Sequence, residues 1–403
     1  MLLSSIASGR WLTAERLHGY PRLFLALYGV TLAIMILLSS GKLDYADRPL
    51  GTDFVSFYAA GSLALEGNAA IVYDAQQHFL AEKAVIGSEA IDYYSFSYPP
   101  TFLLLLAPLA GLPYLLALIV WQGMTLGFYV TMICKIAGEQ KAILLALAFP
   151  AVFITLIHGQ NALLTTGLLC GGLYYLDRRP WLAGILIGLL TFKPHLGILI
   201  PIILILSWRW RVFLSAALTT LLISCLSLVI FGAQTWQAFL NSTFFATQVL
   251  HEGLVPLYKM QSLFASLRLN GASLPVAYGI HGALAVAVAI AVVFVWRQNC
   301  SPEIRNAGLV IGTLMVTPFL LDYDLTLLAI PIACLGAYGV RHRFRPWTIS
   351  LLALAWIAPM LVRSFNLAIP IPWTSILLLA IMYQIIKFSR EERLGATENV
   401  LHR

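Results

Sequence analysis

The chain has little charge for its length: only 11% of its 403 residues are charged, while 60% are hydrophobic. A soluble domain carries about 25% charged residues, so most of the surface of this chain cannot face water. The chain also lacks the alternation of polar and apolar residues that marks the strands of a membrane barrel. Its apolar runs approach the length that a helix needs to cross a bilayer. The sequence therefore predicts an all-α polytopic membrane protein.

The sequence also lacks the patterns typical of metal sites, nucleic-acid surfaces and phosphate-binding loops. The five cysteines have no metal-ligand spacing and nearly all fall in apolar runs, so we interpret them as small core residues. The net charge of +7 is divided among short basic clusters between apolar runs. That distribution favours cytoplasmic loops over a nucleic-acid surface, and we expect no nucleic-acid partner. Gly-rich phosphate loops are also missing.

Apolar runs between residues 22 and 388 predict a bundle of about twelve membrane helices, with residues 1–403 forming a single integral membrane domain. The first run follows three arginines and precedes no small-residue cleavage site, so we interpret it as an uncleaved signal anchor. Alternate joints between later runs are basic, which indicates that they and both termini are cytoplasmic. These joints are Arg178-Arg179, residues 208–211, Arg297 with Arg305, residues 341–345 and the tail 387–403.

The remaining joints are predicted to be external. Residues 41–112 form a long first external loop, whose residues 41–101 hold eight acids and three bases. We expect two or three short amphipathic helices in it. The apolar segment 98–112 is too short to span, so we interpret it as a re-entrant or interfacial helix that begins at Pro99-Pro100. Residues 232–272 form a second external loop.

Polar motifs are concentrated at the external joints. They read "HGQN" at 158–161, "KPH" at 193–195, "DYD" at 322–324 and "RSFN" at 363–366. Lysine, histidine, aspartate and arginine at helix ends thus converge on one face of the membrane. This convergence is the strongest functional signal in the sequence.

Six motifs, in this order, resemble those of glycosyltransferase family 87. They are "TDFVSFYAAG", "YSFSYPPTFLLLLAPL", "HGQNALL", "GLLTFKPHLGILIP", "QSLFASLRL" and "TPFLLDYDLTLLAIP". The resemblance runs from about residue 20 to 340 and implies a GT-C bundle of about a dozen spans, with its active site on the outer face. It also implies a polyprenyl-phosphate sugar donor and an acid in the first external loop that acts as the base.

Asp53 is the residue that matches this acid. A base must take the proton of the acceptor hydroxyl, and a lipid-linked donor presents its sugar at the membrane interface. The aromatic residues Phe54, Phe57 and Tyr58 would partly desolvate the carboxylate. The alternative interpretation is an N-cap for a helix over 54–65, because aspartate is favoured at that position.

Three cations are candidates for the donor phosphate. Lys193 and His195 flank Pro194, which should break the helix and direct both side chains into one cavity. The alternative for them is snorkelling or anchoring at a helix end. Arg363, alone at an external helix end, is the third candidate. A phosphate leaves as an anion, so no second carboxylate is needed as an acid.

The other candidates are polar residues that would contact the sugar or acceptor: Tyr98, Gln160, Asn161, Tyr323 and Asp324. Asp324 can also cap the next helix, and Gln160 and Asn161 can satisfy a helix end. Tyr98 is expected to shape the pocket wall. A metal site from Asp53, Asp322 and Asp324 stays open, but no spacing demands one, so we predict no cofactor.

The sequence and the resemblance together predict a membrane glycosyltransferase of a bacterial inner membrane, with its site on the periplasmic face. It would move a hexose, with mannose favoured, from polyprenyl phosphate to an outer-face glycolipid or glycan, with inversion. One alternative is a transporter or lipid-linked sugar flippase, which should place its charges near the middle of the membrane. Another is a ligase with a pyrophosphate donor, which should carry more external arginines.

Overall fold

The computed structural model describes residues 2–140, 142–251, 257–298 and 300–401. Within these residues it contains helices and no β-strand. The α-helices of this part are α1 (Leu2–Ser8), α2 (Ala14–Leu37), α3 (Phe54–Leu65), α4 (Ala75–Ile86), α5 (Pro100–Ala110), α6 (Tyr114–Ala137), α7 (Ala142–Leu147), α8 (Pro150–His158), α9 (Ala162–Tyr175), α10 (Pro180–Gly188), α11 (Pro194–Gly197), α12 (Leu199–Leu206), α13 (Trp210–His251), α14 (Leu263–Leu269), α15 (Leu274–Trp296), α16 (Pro302–Val316), α17 (Ala329–His342), α18 (Thr348–Ala368) and α19 (Trp373–Leu401). Four 3₁₀ helices cover Ala69–Tyr73, Leu189–Phe192, Leu257–Lys259 and Asp322–Leu328.

Among the described residues, six helical segments are long and apolar enough to cross a membrane. They are Ala14–Leu37, Tyr114–Ala137, Trp210–Phe244, Leu274–Arg297, Asp322–His342 and Thr348–Ala368. Other apolar helices, such as α9 and α10, are shorter. The protein is therefore a polytopic helical membrane protein, and the predicted count of about twelve spans is not confirmed.

Prolines explain why several apolar runs appear as short helices. Pro150 begins α8 and separates it from α7. Pro194 begins α11 directly after Lys193, whose backbone is not helical (φ −128°, ψ 66°). Because proline has no amide hydrogen and clashes with the preceding turn, it starts a helix well and interrupts one. The break predicted at Pro194 is therefore present, and the Lys193 side chain beside it is buried.

The predicted first external loop, residues 41–112, folds into short helices, namely α3, the 3₁₀ turn Ala69–Tyr73 and α4, before α5. Helix α3 lies so close to α5 that a Cβ atom on Gly61 would come within 2.5 Å of the Leu106 carbonyl oxygen. Only glycine permits that approach. With eleven residues, α5 reaches about 16 Å, well short of a hydrocarbon core of about 30 Å.

The basic joints meet at one end of the bundle. Asp177 pairs with both Arg209 and Arg305, and ion pairs also join Arg341 to Glu303 and Arg345 to Glu391. Helices α16, α17 and α18 each have one terminus at this end. Their other termini lie beside Asp322 and Arg363, so the polar motifs occupy the opposite end.

The predicted second external loop, residues 232–272, begins at a break in α13, where Gly232 has φ 80° and ψ 163°. Residues 252–256 of this loop lie outside the described residues. The loop ends in α14, which Ser262 caps by accepting a hydrogen bond from the amide of Ala265 at 3.2 Å. The predicted tail continues α19 as a helix to Leu401, and residues 402–403 lie outside the described part.

Candidate functional site

The predicted first external loop is held against the turn between α8 and α9. The Thr52 hydroxyl lies 2.6 Å from Nδ1 of His158, and the amide of Asp53 donates to the His158 carbonyl at 2.9 Å. Gly159 has φ +65°, and a Cβ atom there would lie 2.6 Å from that of Phe54. The turn therefore requires glycine, and it places Asp53 at the start of α3.

The Asp53 carboxylate is half-buried and does not cap α3. The helix does begin at Phe54, where the capping alternative places it, but Asp53 has helical dihedrals and its side chain makes no cap hydrogen bond. The carboxylate lies close enough to Tyr98, His158 and Tyr323 for its charge to act on each of them. It therefore belongs to a polar cluster with these three residues and makes no cap hydrogen bond to its own helix.

One side of this polar cluster consists of Tyr98 and Gln160. The Tyr98 hydroxyl donates to Oε1 of Gln160 at 3.4 Å, and the amide of Asn161 donates to the same atom at 3.0 Å. The ring of Tyr98 meets that of Phe57 edge-on, with 5.4 Å between centroids. The Tyr73 hydroxyl also donates to the Tyr98 carbonyl at 2.9 Å. The predicted polar residues on this side of the cluster are thus in one place and mutually ordered.

A buried ion pair joins Lys193 to Asp324. The ammonium lies 2.6 Å from the carboxylate, and both side chains are 2% exposed. The second carboxylate oxygen accepts from the amide of Leu321 at 3.2 Å. The ammonium also lies 4.9 Å from the centroid of the Tyr323 ring. His195 lies within electrostatic range of both charges. Phosphate binding by Lys193 stays a prediction, in which the ammonium would leave or share Asp324.

Arg363 is far more exposed than Lys193, another of the three cations predicted to bind the donor phosphate. Its side chain is 41% exposed, and Nη1 lies 3.8 Å from Asp322, too far for a hydrogen bond. The guanidinium also lies 5.5 Å from the centroid of the Tyr258 ring. Asp322 accepts from the amide of Tyr323 at 2.9 Å. The guanidinium therefore retains hydrogen-bond donors for an anionic ligand.

The end of the second external loop is fixed beside Arg363 by Gln261. Its amide donates to the Leu320 carbonyl at 2.7 Å, and its side-chain oxygen accepts from Asn366 at 3.2 Å and Thr374 at 3.1 Å. Lys259, two residues before Gln261, lies within electrostatic range of His158 and Asp322. Sequence reasoning did not select Lys259 or His158. The motifs "HGQN" and "QSLFASLRL" were the available signals for them.

The predicted site residues therefore lie in one polar region at one end of the bundle. One half-buried carboxylate can accept a proton, and an exposed guanidinium can hold an anion. Within the described residues, no group of three or more histidine, cysteine or acidic side chains could hold a metal ion.

A sequence model of glycosyltransferase family 87 matches residues 96–318, more than half of the chain. Comparisons with curated proteins and with solved structures find no match. The matched segment contains Tyr98, Gln160 and Lys193. Asp53 and Arg363 lie outside it.

Proposed function

Because the chain belongs to glycosyltransferase family 87 and is therefore a membrane glycosyltransferase, we propose that its donor is a polyprenyl-phosphate hexose, with mannose favoured. The sugar would pass, with inversion, to a glycolipid or glycan acceptor at the outer face of a bacterial inner membrane. Asp53 would act as the general base. The resemblance of the motifs to this GT-C family supports the donor class.

The observation that carries the proposal is that Asp53 and Arg363 both lie within electrostatic range of His158. Both residues lie outside the segment that the family model matches, and the charges of both act on His158. A half-buried acid without a capping role and a cation with unused donors are the two groups that this transfer requires. Their proximity therefore supports the proposal independently of the family match.

The chemistry follows from these two groups. The acceptor oxygen attacks the anomeric carbon, its proton passes to the Asp53 carboxylate, and the bond from the anomeric carbon to the phosphate oxygen breaks. The lipid phosphate leaves as an anion, whose new charge the Arg363 guanidinium stabilises. Attack on the face opposite the phosphate inverts the sugar carbon.

The position of the polar cluster in the membrane supports an outer-face site. It lies at the end of α16, α17 and α18 that is remote from the basic joints, and basic joints are typical of the cytoplasmic side. A lipid-linked donor presents its sugar at the interface. A flippase would instead require charged groups near the middle of the membrane, so we favour the transferase.

The experiment is a donor assay with purified protein in nanodiscs. Synthetic polyprenyl-phosphate mannose, glucose and galactose are offered with extracted envelope lipids, and mass spectrometry follows polyprenyl phosphate and the glycosylated product. We expect one donor to be consumed and a lipid or glycan to gain one hexose. Consumption of none of these donors by folded protein would contradict the proposal.

Arg363→Gln should weaken use of the donor in the same assay. A charge-assisted hydrogen bond is worth roughly 1.5–3 kcal/mol, so we expect the apparent donor affinity to fall by about one to two decades. Arg48→Gln is the matched control, because Arg48 is an exposed cation of the first external loop. Equal donor affinity in the two folded variants would remove Arg363 from the phosphate site.

A further inference from the structure

A buried histidine–glutamate pair lies inside the first external loop. His78 and Glu82 are one turn apart on α4, and both side chains are 0% exposed. Nδ1 of His78 lies 3.6 Å from Oε1 of Glu82, and neither atom has another hydrogen-bond partner in the described structure. Two unpaired polar atoms that face each other in a buried site are costly unless a proton lies between them.

The outer atoms of the pair determine where that proton lies. The Ser56 carbonyl can only accept, and it lies 3.2 Å from Nε2 of His78, so Nε2 carries a hydrogen. In a neutral ring, Nδ1 then presents a lone pair to Glu82. The other carboxyl oxygen of Glu82 accepts from the amide of Tyr94 at 3.1 Å. At 3.6 Å this contact is longer than a hydrogen bond, but a protonated Oε1 places no negative charge against the Nδ1 lone pair, whereas a carboxylate would.

The pair connects α4 to the helix that carries the predicted base. Ser56 belongs to the first turn of α3 and follows Asp53 by three residues. Glu82 also lies within electrostatic range of Asp53. If Glu82 lost its proton, a buried carboxylate would face both the lone pair of His78 and the charge of Asp53. The contact between α4 and α3 would then be repulsive.

We propose that a protonated Glu82 and a neutral His78 form an uncharged buried pair that positions α3, and that loss of the Glu82 proton loosens the helix and displaces Asp53. The effect of the pair on the position of α3 follows from the contacts of His78 and Glu82 and does not depend on the proposed function. The part that concerns catalysis depends on the proposed function of Asp53. His78 and Glu82 are thus positioning residues, which act through α3 and do not touch the substrate.

Burial supports this protonation state. It raises the pKa of Glu82 to about 8 and lowers the pKa of His78 to about 4. The pKa values of Tyr93 and Tyr94 are raised to about 12, so neither tyrosine titrates near neutral pH. The other ionisable groups that act on the pair or on its neighbours are Arg48, Asp53, Asp74, Asp92 and Tyr114.

The sign of the pH dependence follows from these directions. The pKa of Glu82 is raised from 4.5, so its contribution to stability is complete below pH 4.5 and is lost as pH rises through about 8. The pKa of His78 is lowered from 6.5, so its contribution is complete above pH 6.5 and is lost as pH falls towards 4. Above pH 6.5, only Glu82 of this pair changes stability.

The test is thermal unfolding of the whole protein in nanodiscs between about pH 6.5 and 8.5. The wild-type melting temperature should fall across this range, whereas that of Glu82→Gln should be flat. Glu89→Gln is the matched control, because Glu89 is an exposed acid of the same loop, and it should keep the wild-type slope. A wild-type slope in Glu82→Gln would overturn the proposal.

Hydrogen exchange of the wild type keeps the test valid if Glu82→Gln does not fold. After correction for chemical exchange rates, protection of peptides from α3 should fall as pH rises towards about 8 and level off above it, while peptides from α16 stay protected. Equal pH dependence in both helices would also overturn the proposal. The rate of sugar transfer in Glu82→Gln then isolates the catalytic part. In this variant, the fall of the transfer rate at alkaline pH should begin at a higher pH than in the wild type. If the donor assay fails, the unfolding and exchange measurements still test the proposal for the loop.

Discussion

Asp53→Asn is expected to lower the rate of sugar transfer by about two to four decades. An amide cannot take the proton of the acceptor hydroxyl, although it matches the carboxylate in size. The variant should melt close to the wild type, because the Asp53 side chain makes no cap hydrogen bond on α3. Rates and melting temperatures of the purified variant, measured side by side, check both halves of this prediction.

Asp92→Asn is the matched control for this substitution, because Asp92 is an exposed acid of the same loop. It should keep both its rate and its stability. Turnover near the wild-type rate in Asp53→Asn would remove the general base from the mechanism. A large fall in melting temperature would instead indicate a structural role for the carboxylate.

Lys193→Met is expected to destabilise the protein by about 3–5 kcal/mol, because it leaves the Asp324 carboxylate buried without its counter-charge. Asp324→Asn combined with Lys193→Met removes the stranded charge and keeps an oxygen that can accept from the amide of Leu321. The double variant should therefore recover much of the loss. Thermal unfolding of the single and double variants completes the cycle.

Two outcomes of this cycle would contradict the structural role of the pair. One is a Lys193→Met variant as stable as the wild type. The other is a double variant no more stable than Lys193→Met alone. A stable Lys193→Met variant with weakened donor affinity would support the alternative, in which the ammonium binds the donor phosphate.

Much of the site could be predicted from the sequence because local signals mark helix ends. The break at Pro194 follows from the properties of proline, whereas α3 begins after Asp53 without a cap hydrogen bond from that side chain. The alternation of basic joints indicates which helix ends lie together. These local rules predict that the polar motifs occupy one end of the bundle.

Long-range pairings could not be predicted in the same way. Lys193 and Asp324 are 131 residues apart, and nothing near either residue indicates that the other will bind it. The burial of His78 and Glu82 depends on the packing of α4 against α3. From the sequence alone, the acids of this loop are expected to face solvent, because nothing in the sequence indicates that packing. The number of spans is equally hard to predict, because proline divides apolar runs into short helices such as α7 and α8.

Lys259 illustrates a third limit. Its position beside Asp322 depends on the bonds that Gln261 makes to Leu320 and Asn366, which belong to two other segments. In the sequence, Lys259 lies two residues before the motif "QSLFASLRL", but nothing near it indicates that this segment returns to Asp322. The sequence therefore predicts site residues at helix ends but does not predict residues that reach the site only because a loop folds back onto it.

The most direct measurement is a structure of the protein in nanodiscs with a non-transferable polyprenyl-phosphate hexose analogue. The account predicts that the phosphate lies within hydrogen-bond distance of the Arg363 guanidinium. It also predicts that the anomeric carbon faces the Asp53 carboxylate on the side opposite the phosphate. An analogue bound at the end with the basic joints, or with its sugar remote from Asp53, would contradict the account.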